Sequence, residues 1–172
     1  MLNVGECVIY GNHGLCRVQE ILVPSFLERG NEKQYYMMVS AVDAGSVLYV
    51  PVDGAEDKVR EVMSADEAEG LIDEIEAIEE IDLPEGKKAE PAIAEIVKRN
   101  IADEMMSLVK ALRKIKAIRE AEGKKFATLN EKYLNMAEKL LYTEMAFALK
   151  TEKDEVKSRV VYELSQLPLE TA

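Results

Sequence analysis

The sequence predicts an α+β protein of two unlike domains, a small SH3-like β-barrel over residues 1–63 and a compact all-helical domain of about five helices over 64–172. Two observations carry the prediction. The hydrophobic period changes after Met63 from two to between three and four, and tight Gly/Asn/Asp turns before that point give way to helix-start signals at Ser64–Glu67 and Thr128–Glu131 after it.

The β half reads as five short strands. Val4 to Tyr10 and Leu15 to Val23 flank Gly11-Asn12-His13-Gly14, the signature of a hairpin. Gln34 to Val42 and Ser46 to Val52 repeat it around Asp43-Ala44-Gly45, and Val59 to Met63 makes a fifth strand. Pro24 to Lys33 is polar and reads as an exposed loop. Such strands suit a strongly bent barrel, closed enough to limit its exposed edges.

In the helical half, Ser64 and Glu67 form a capping box, followed by an apolar stripe at Leu71, Ile72, Ile75 and Ile78. Leu83-Pro84-Glu85-Gly86 breaks that helix. Pro91 suits the first turn of the next, to about Ala102. A long helix from Asp103 to Glu122 stops at Gly123; on a 100° wheel Met105, Leu108, Val109, Leu112 and Ile115 take a core face, and Lys110, Arg113 and Lys114 a basic one. The Thr128–Glu131 box opens a helix to about Leu149, and a last helix begins at Thr151–Asp154 and ends before Pro168. No heptad persists, so a compact bundle is expected rather than a coiled coil.

Charge is unevenly spread. The net charge is −11, yet residues 1–63 carry −4, residues 64–100 carry −8, and residues 101–172 carry +1. Lys110 to Lys125 holds seven basic and two acidic side chains, so a polyanion would meet the chain there. No apolar run spans a membrane and no basic-then-apolar leader opens the sequence, so a cytoplasmic protein is expected, with Cys7 and Cys16 as thiols.

Catalytic signatures are lacking. His13 is the single histidine, and no Walker loop, GxGxxG, GxSxG or HExxH occurs. Cys7, His13 and Cys16 lack the paired spacing of structural zinc sites. A binding protein is expected, not an enzyme, with no cofactor, no metal and no small-molecule substrate.

VGECVIYGNHGLCRVQEI followed by QYYMMVSAVDAGSVLYVPVDGAEDKVREV resembles the N-terminal domain of the CarD family, with matches at Val4, Gly5, Tyr10, His13, Gly14, Val50, Pro51 and Arg60. The stretch ADEMMSLVKALRKIKAIREAEGKKFATLNEKYLNMAEKLLYTEMAFAL is similar to the family's C-terminal helices, joined by a turn at Leu129-Asn130-Glu131-Lys132. The resemblance implies a Tudor-like N-terminal domain, shared with the transcription-repair coupling factor, that docks on the β subunit of bacterial RNA polymerase. It implies helices that lie at the upstream edge of the promoter bubble and bias its opening, with weak and largely sequence-independent DNA contact. By resemblance, polymerase contact falls on the strand Ser46, Val47, Leu48, Tyr49, Val50 and Pro51. DNA contact falls on Lys87, Lys88, Lys98, Arg99, Lys110, Arg113 and Lys114, and changing the last three to Glu is expected to cost little stability.

The chain departs from the family pattern in two places. It has no tryptophan, whereas well-studied members place one near the start of the DNA-facing helices as a wedge at the fork; the matching stretch is Leu83 to Ile93. Pro24 and Tyr49 stand where basic residues are usual, so with the polymerase surface as partner apolar and aromatic contact must replace some of the charge there. The alternative reading is a scaffold or adaptor that binds protein with both domains and never touches DNA.

Overall fold

Alternating apolar and polar residues give the N-terminal sixty residues one buried face, and the computed structural model, which describes residues 1–169, shows how that face is closed over. The chain divides into two units, Met1–Val62 and a second beginning at Met63. The first is an antiparallel five-stranded sheet of β1 (Cys7–Ile9), β2 (Leu15–Leu22), β3 (Tyr35–Ser40), β4 (Val47–Pro51) and β5 (Arg60–Glu61), in the order β4-β3-β2-β1-β5. A bulge between Val18 and Glu20 adds twist to β2, so the sheet curls into a half-barrel.

Val8, Cys16, Val18, Tyr36, Met38 and Val50 fill its concave side. Burying a side chain of Val or Met size contributes about 1.5–3 kcal/mol, which is what fixes the register. The Tyr36 hydroxyl accepts a 2.9 Å hydrogen bond from the Leu2 N–H, tying the N-terminus to the same core. Gly45, at φ 88°, completes the turn into β4 in a conformation that side-chain-bearing residues rarely adopt. The small bent barrel expected from the sequence is present as this half-barrel, with one edge left open. β4 and β5 lie at opposite ends of the sheet, and β5 is two residues long, so β4 keeps an open edge.

The helical unit comprises α1 (Ala65–Asp73), α2 (Ala89–Arg99), α3 (Ala102–Ala121), α4 (Thr128–Leu149) and α5 (Lys153–Ser165). Ser64 caps α1, its hydroxyl accepting from the Glu67 N–H at 3.1 Å. The helix ends sooner than the apolar stripe predicts, at Asp73, and the chain runs on through turns in which Ile75 is still buried. Pro91 sits in the first turn of α2, and Asn100, at φ 50°, ends that helix in the left-handed conformation. Thr128 is the first helical residue of α4, not its cap; Ala127 precedes it and supplies no side-chain acceptor.

α3 and α4 form the centre of the unit. Met105, Met106, Leu108, Val109, Ala111 and Leu112 are all buried, which places burial all round the first half of α3 rather than on one face. A two-faced wheel therefore misassigns this helix. Ile115, expected in the core, is 37% exposed.

Candidate functional site

The open edge of β4 follows from its register with β3. The Ser40 N–H donates to the Ser46 carbonyl at 3.0 Å and the Val52 N–H to the Gln34 carbonyl at 3.0 Å. The residues between alternate, so Leu48 and Val50 turn their backbone groups toward β3 while Val47, Tyr49 and Pro51 turn theirs away. The edge thus offers the N–H and C=O of Val47 and Tyr49, and the C=O of Pro51, which has no N–H. Pro51 costs the β3 ladder nothing, since it stands opposite Tyr35 at a non-hydrogen-bonded pair. Of the six residues expected to bind a partner strand, Leu48 and Val50 face the concave side, whereas Val47 and Tyr49 are 46% and 44% exposed on the outer one.

An unforeseen residue joins them. Phe26, in the loop after β2, is 62% exposed and packs edge-to-face on Tyr49, with ring centroids 5.5 Å apart, and on Tyr35 at 5.9 Å. Buried Pro24 and the hydrogen bond from the Leu27 N–H to the Pro24 carbonyl hold the loop in a turn. The signal available in the sequence was the single aromatic in an otherwise polar loop.

The seven cations expected to contact DNA fall into two groups. Lys110 is buried, 7% exposed, and its Nζ donates to the carbonyls of Ile75, Glu76 and Ile78 at 2.8, 3.0 and 2.6 Å. It closes the turns after α1 by satisfying carbonyls that a longer helix would have bonded. Arg113 makes a two-pronged pair with buried Glu138, both bonds at 2.8 Å, and the Tyr142 hydroxyl donates to the same carboxylate at 2.6 Å. Burial first, and then the Glu138 charge, push the Tyr142 phenol far above its ordinary pKa, so it remains a donor. Lys114 pairs with Glu80 at 3.1 Å.

The expected basic face of α3 is therefore corrected. Lys110 and Arg113 serve the fold, and Lys114 is partly neutralised. The outer side of this region is a cleft of about 500 Å³ between α3 and the end of α5, where Lys110, Arg113, Lys114 and Lys116 lie beside Glu80, Glu120, Val161 and Leu164. Sequence reasoning also missed Glu138 and Glu144, the latter 1% exposed and accepting from the Met63 N–H at 2.9 Å. Their signal was a carboxylate set among the apolar positions Leu134, Ala137, Leu141 and Met145.

The second group lies around the start and end of α2. Lys87 and Lys88, in a 3-10 turn at Gly86–Lys88, and Lys98 near the helix end are exposed and make no ion pair among the described residues. Arg99 is engaged by Glu104 at 3.2 Å and Glu95 at 3.7 Å, which raises its pKa, hydrogen bonding to Glu104 being the main cause. Glu90, beside this group, accepts from the Tyr133 hydroxyl at 3.1 Å.

The soft-ligand cluster comes apart in the fold. Cys16 faces Val8 across the β1–β2 ladder, so Cys7 falls on the opposite side of the sheet, and His13 is exposed with its ring stacked on Tyr10 at 5.2 Å. Burial pushes the Cys16 thiol up to about 11. Among the described residues no group of three or more His, Cys, Asp or Glu is placed to hold a metal, and no helix is long and apolar enough to cross a membrane.

Comparison with known proteins bears on the β unit. Residues 2–63, about a third of the chain, match the family model of the CarD-like/TRCF RID domain. No curated protein matches the chain. The N-terminal unit is thus a CarD-like/TRCF RID domain, of a family that interacts with the RNA polymerase β subunit, and this supports a polymerase-interacting, transcription-related protein.

Proposed function

We propose, from the premise that residues 2–63 form a CarD-like/TRCF RID domain, that this protein regulates transcription initiation by binding alone, with no chemical step. Its β4 edge takes a strand of the RNA polymerase β subunit, and its helical unit contacts promoter DNA weakly and with little sequence preference, biasing open-complex formation. The observation that carries the docking is the pair of outward, unpaired N–H and C=O sets at Val47 and Tyr49.

Val47→Pro tests it cleanly. Proline there removes an outward donor but no β3–β4 hydrogen bond, and an edge strand tolerates it. Binding of the full chain to core polymerase is expected to weaken about 30-fold, the effect of an interface residue worth about 2 kcal/mol. Circular dichroism should show parental secondary structure. A folded Val47→Pro protein that binds like the parent would move the contact off β4.

For DNA, the exposed cations favour the α2 group over α3. Changing Lys87, Lys88 and Lys98 together to Glu is expected to reduce the slope of log affinity against log salt by about 0.9 for each phosphate that is no longer neutralised. The measurement is binding of polymerase-bound protein to fork-junction DNA over a salt series. A slope equal to the parent's leaves the adaptor reading, which the −8 charge of residues 64–100 and the internally satisfied cations of α3 favour.

A further inference from the structure

We infer that the polymerase segment received by β4 is an apolar strand, selected by an aromatic wall of Phe26, Tyr35 and Tyr49, and that this docking is insensitive to salt. The inference rests on the docking proposed above and names the chemistry of the partner at that same edge.

Backbone and side chains at the edge are inseparable. A strand bonded to the outward groups of Val47 and Tyr49 sets its own alternate side chains about 4.5–5.5 Å from theirs on the outer face. That face is uncharged across two strands, with Tyr35, Met37 and Val39 on β3 opposite Pro51, Tyr49 and Val47 on β4. Phe26 stands over it from the loop, its ring held by two edge-to-face contacts. The outward charges nearest on β2 are Arg17, across from Val39, and Glu20, across from Met37, and they are of opposite sign.

A carboxylate or ammonium of the partner laid on this wall would lose hydration and find no counter-charge. An aliphatic, proline or aromatic side chain would bury the exposed rings without that cost. Recognition here therefore comes from fit to an aromatic surface, and screening by salt has little to act on.

The experiment measures binding of the full chain, Phe26→Ala, Phe26→Tyr and Val47→Pro to core polymerase at low and high potassium chloride. Phe26 is exposed, so the alanine variant keeps its core; circular dichroism confirms the fold. Expected are a weakening of about tenfold for Phe26→Ala, near-parental binding by Phe26→Tyr, and a change of less than about threefold across the salt range. If Val47→Pro loses binding while Phe26→Ala does not, or if parental affinity falls steeply with salt, the partner is polar or charged, and the inference fails while docking on β4 stands. If the parent does not bind, or Val47→Pro binds as the parent does, the docking itself fails and the inference with it.

Discussion

Replacing Lys110 with glutamate is expected to unfold the helical unit at temperatures where the parent is fully folded. The buried ammonium donates to three carbonyls of the turns that follow α1. Hydrogen bonds to a charged donor contribute about 1.5–3 kcal/mol each, and carbonyls left buried without a donor add their own penalty. Lys110→Met, which keeps much of the apolar stem, should cost about 3 kcal/mol. Lys110→Glu replaces attraction by repulsion and should cost more, a large part of the roughly 5–15 kcal/mol that holds a domain folded. Thermal denaturation should show the midpoint falling by about 10 °C or more, with Lys110→Met between parent and Lys110→Glu. A parental midpoint for Lys110→Glu would mean that the ammonium does not hold these turns.

Arg113→Ala should be nearly as damaging, for the opposite electrostatic reason. It strands the Glu138 carboxylate at 6% exposure with the Tyr142 hydroxyl as its remaining donor in this network. Breaking a buried pair from one side costs about 3–5 kcal/mol, whereas replacing both partners by apolar residues is often close to neutral. Urea unfolding of Arg113→Ala, Glu138→Leu and the double Arg113→Met/Glu138→Leu separates the terms. The double variant should regain most of what Arg113→Ala loses. If the two are equally destabilised, packing of the guanidinium stem, and not its charge, matters here.

These two residues mark where sequence reasoning stopped. The strands, turns and helices were legible because period and punctuation are local properties, whereas Ser46 to Pro51 was named as the docking strand through the resemblance to the CarD family and not through its alternation. Burial is not local. α3 reads as an amphipathic surface helix, yet α2, α4 and α5 pack against it and the turns after α1 reach Lys110, so its cations became internal fasteners. The partners of Phe26 were illegible for a related reason. Only the crossing of the loop over β3 and β4 brings it within ring contact of Tyr35 and Tyr49, some nine and 23 positions away.

Pro51 gives the open edge a built-in ruler. A sheet grows by repeating the same donor and acceptor pattern, so an unfinished edge invites any extended chain, including the flexible segments of nascent or damaged proteins. Here that pattern breaks off after two complete donor–acceptor sets, because the third outward position has no hydrogen to give. A long, indiscriminate strand gains no more from β4 than a short one, and the surplus affinity on which runaway stacking depends is missing. What remains to tell one short strand from another is the side-chain face beside the edge, so a structural limit on stickiness makes that face the main source of discrimination.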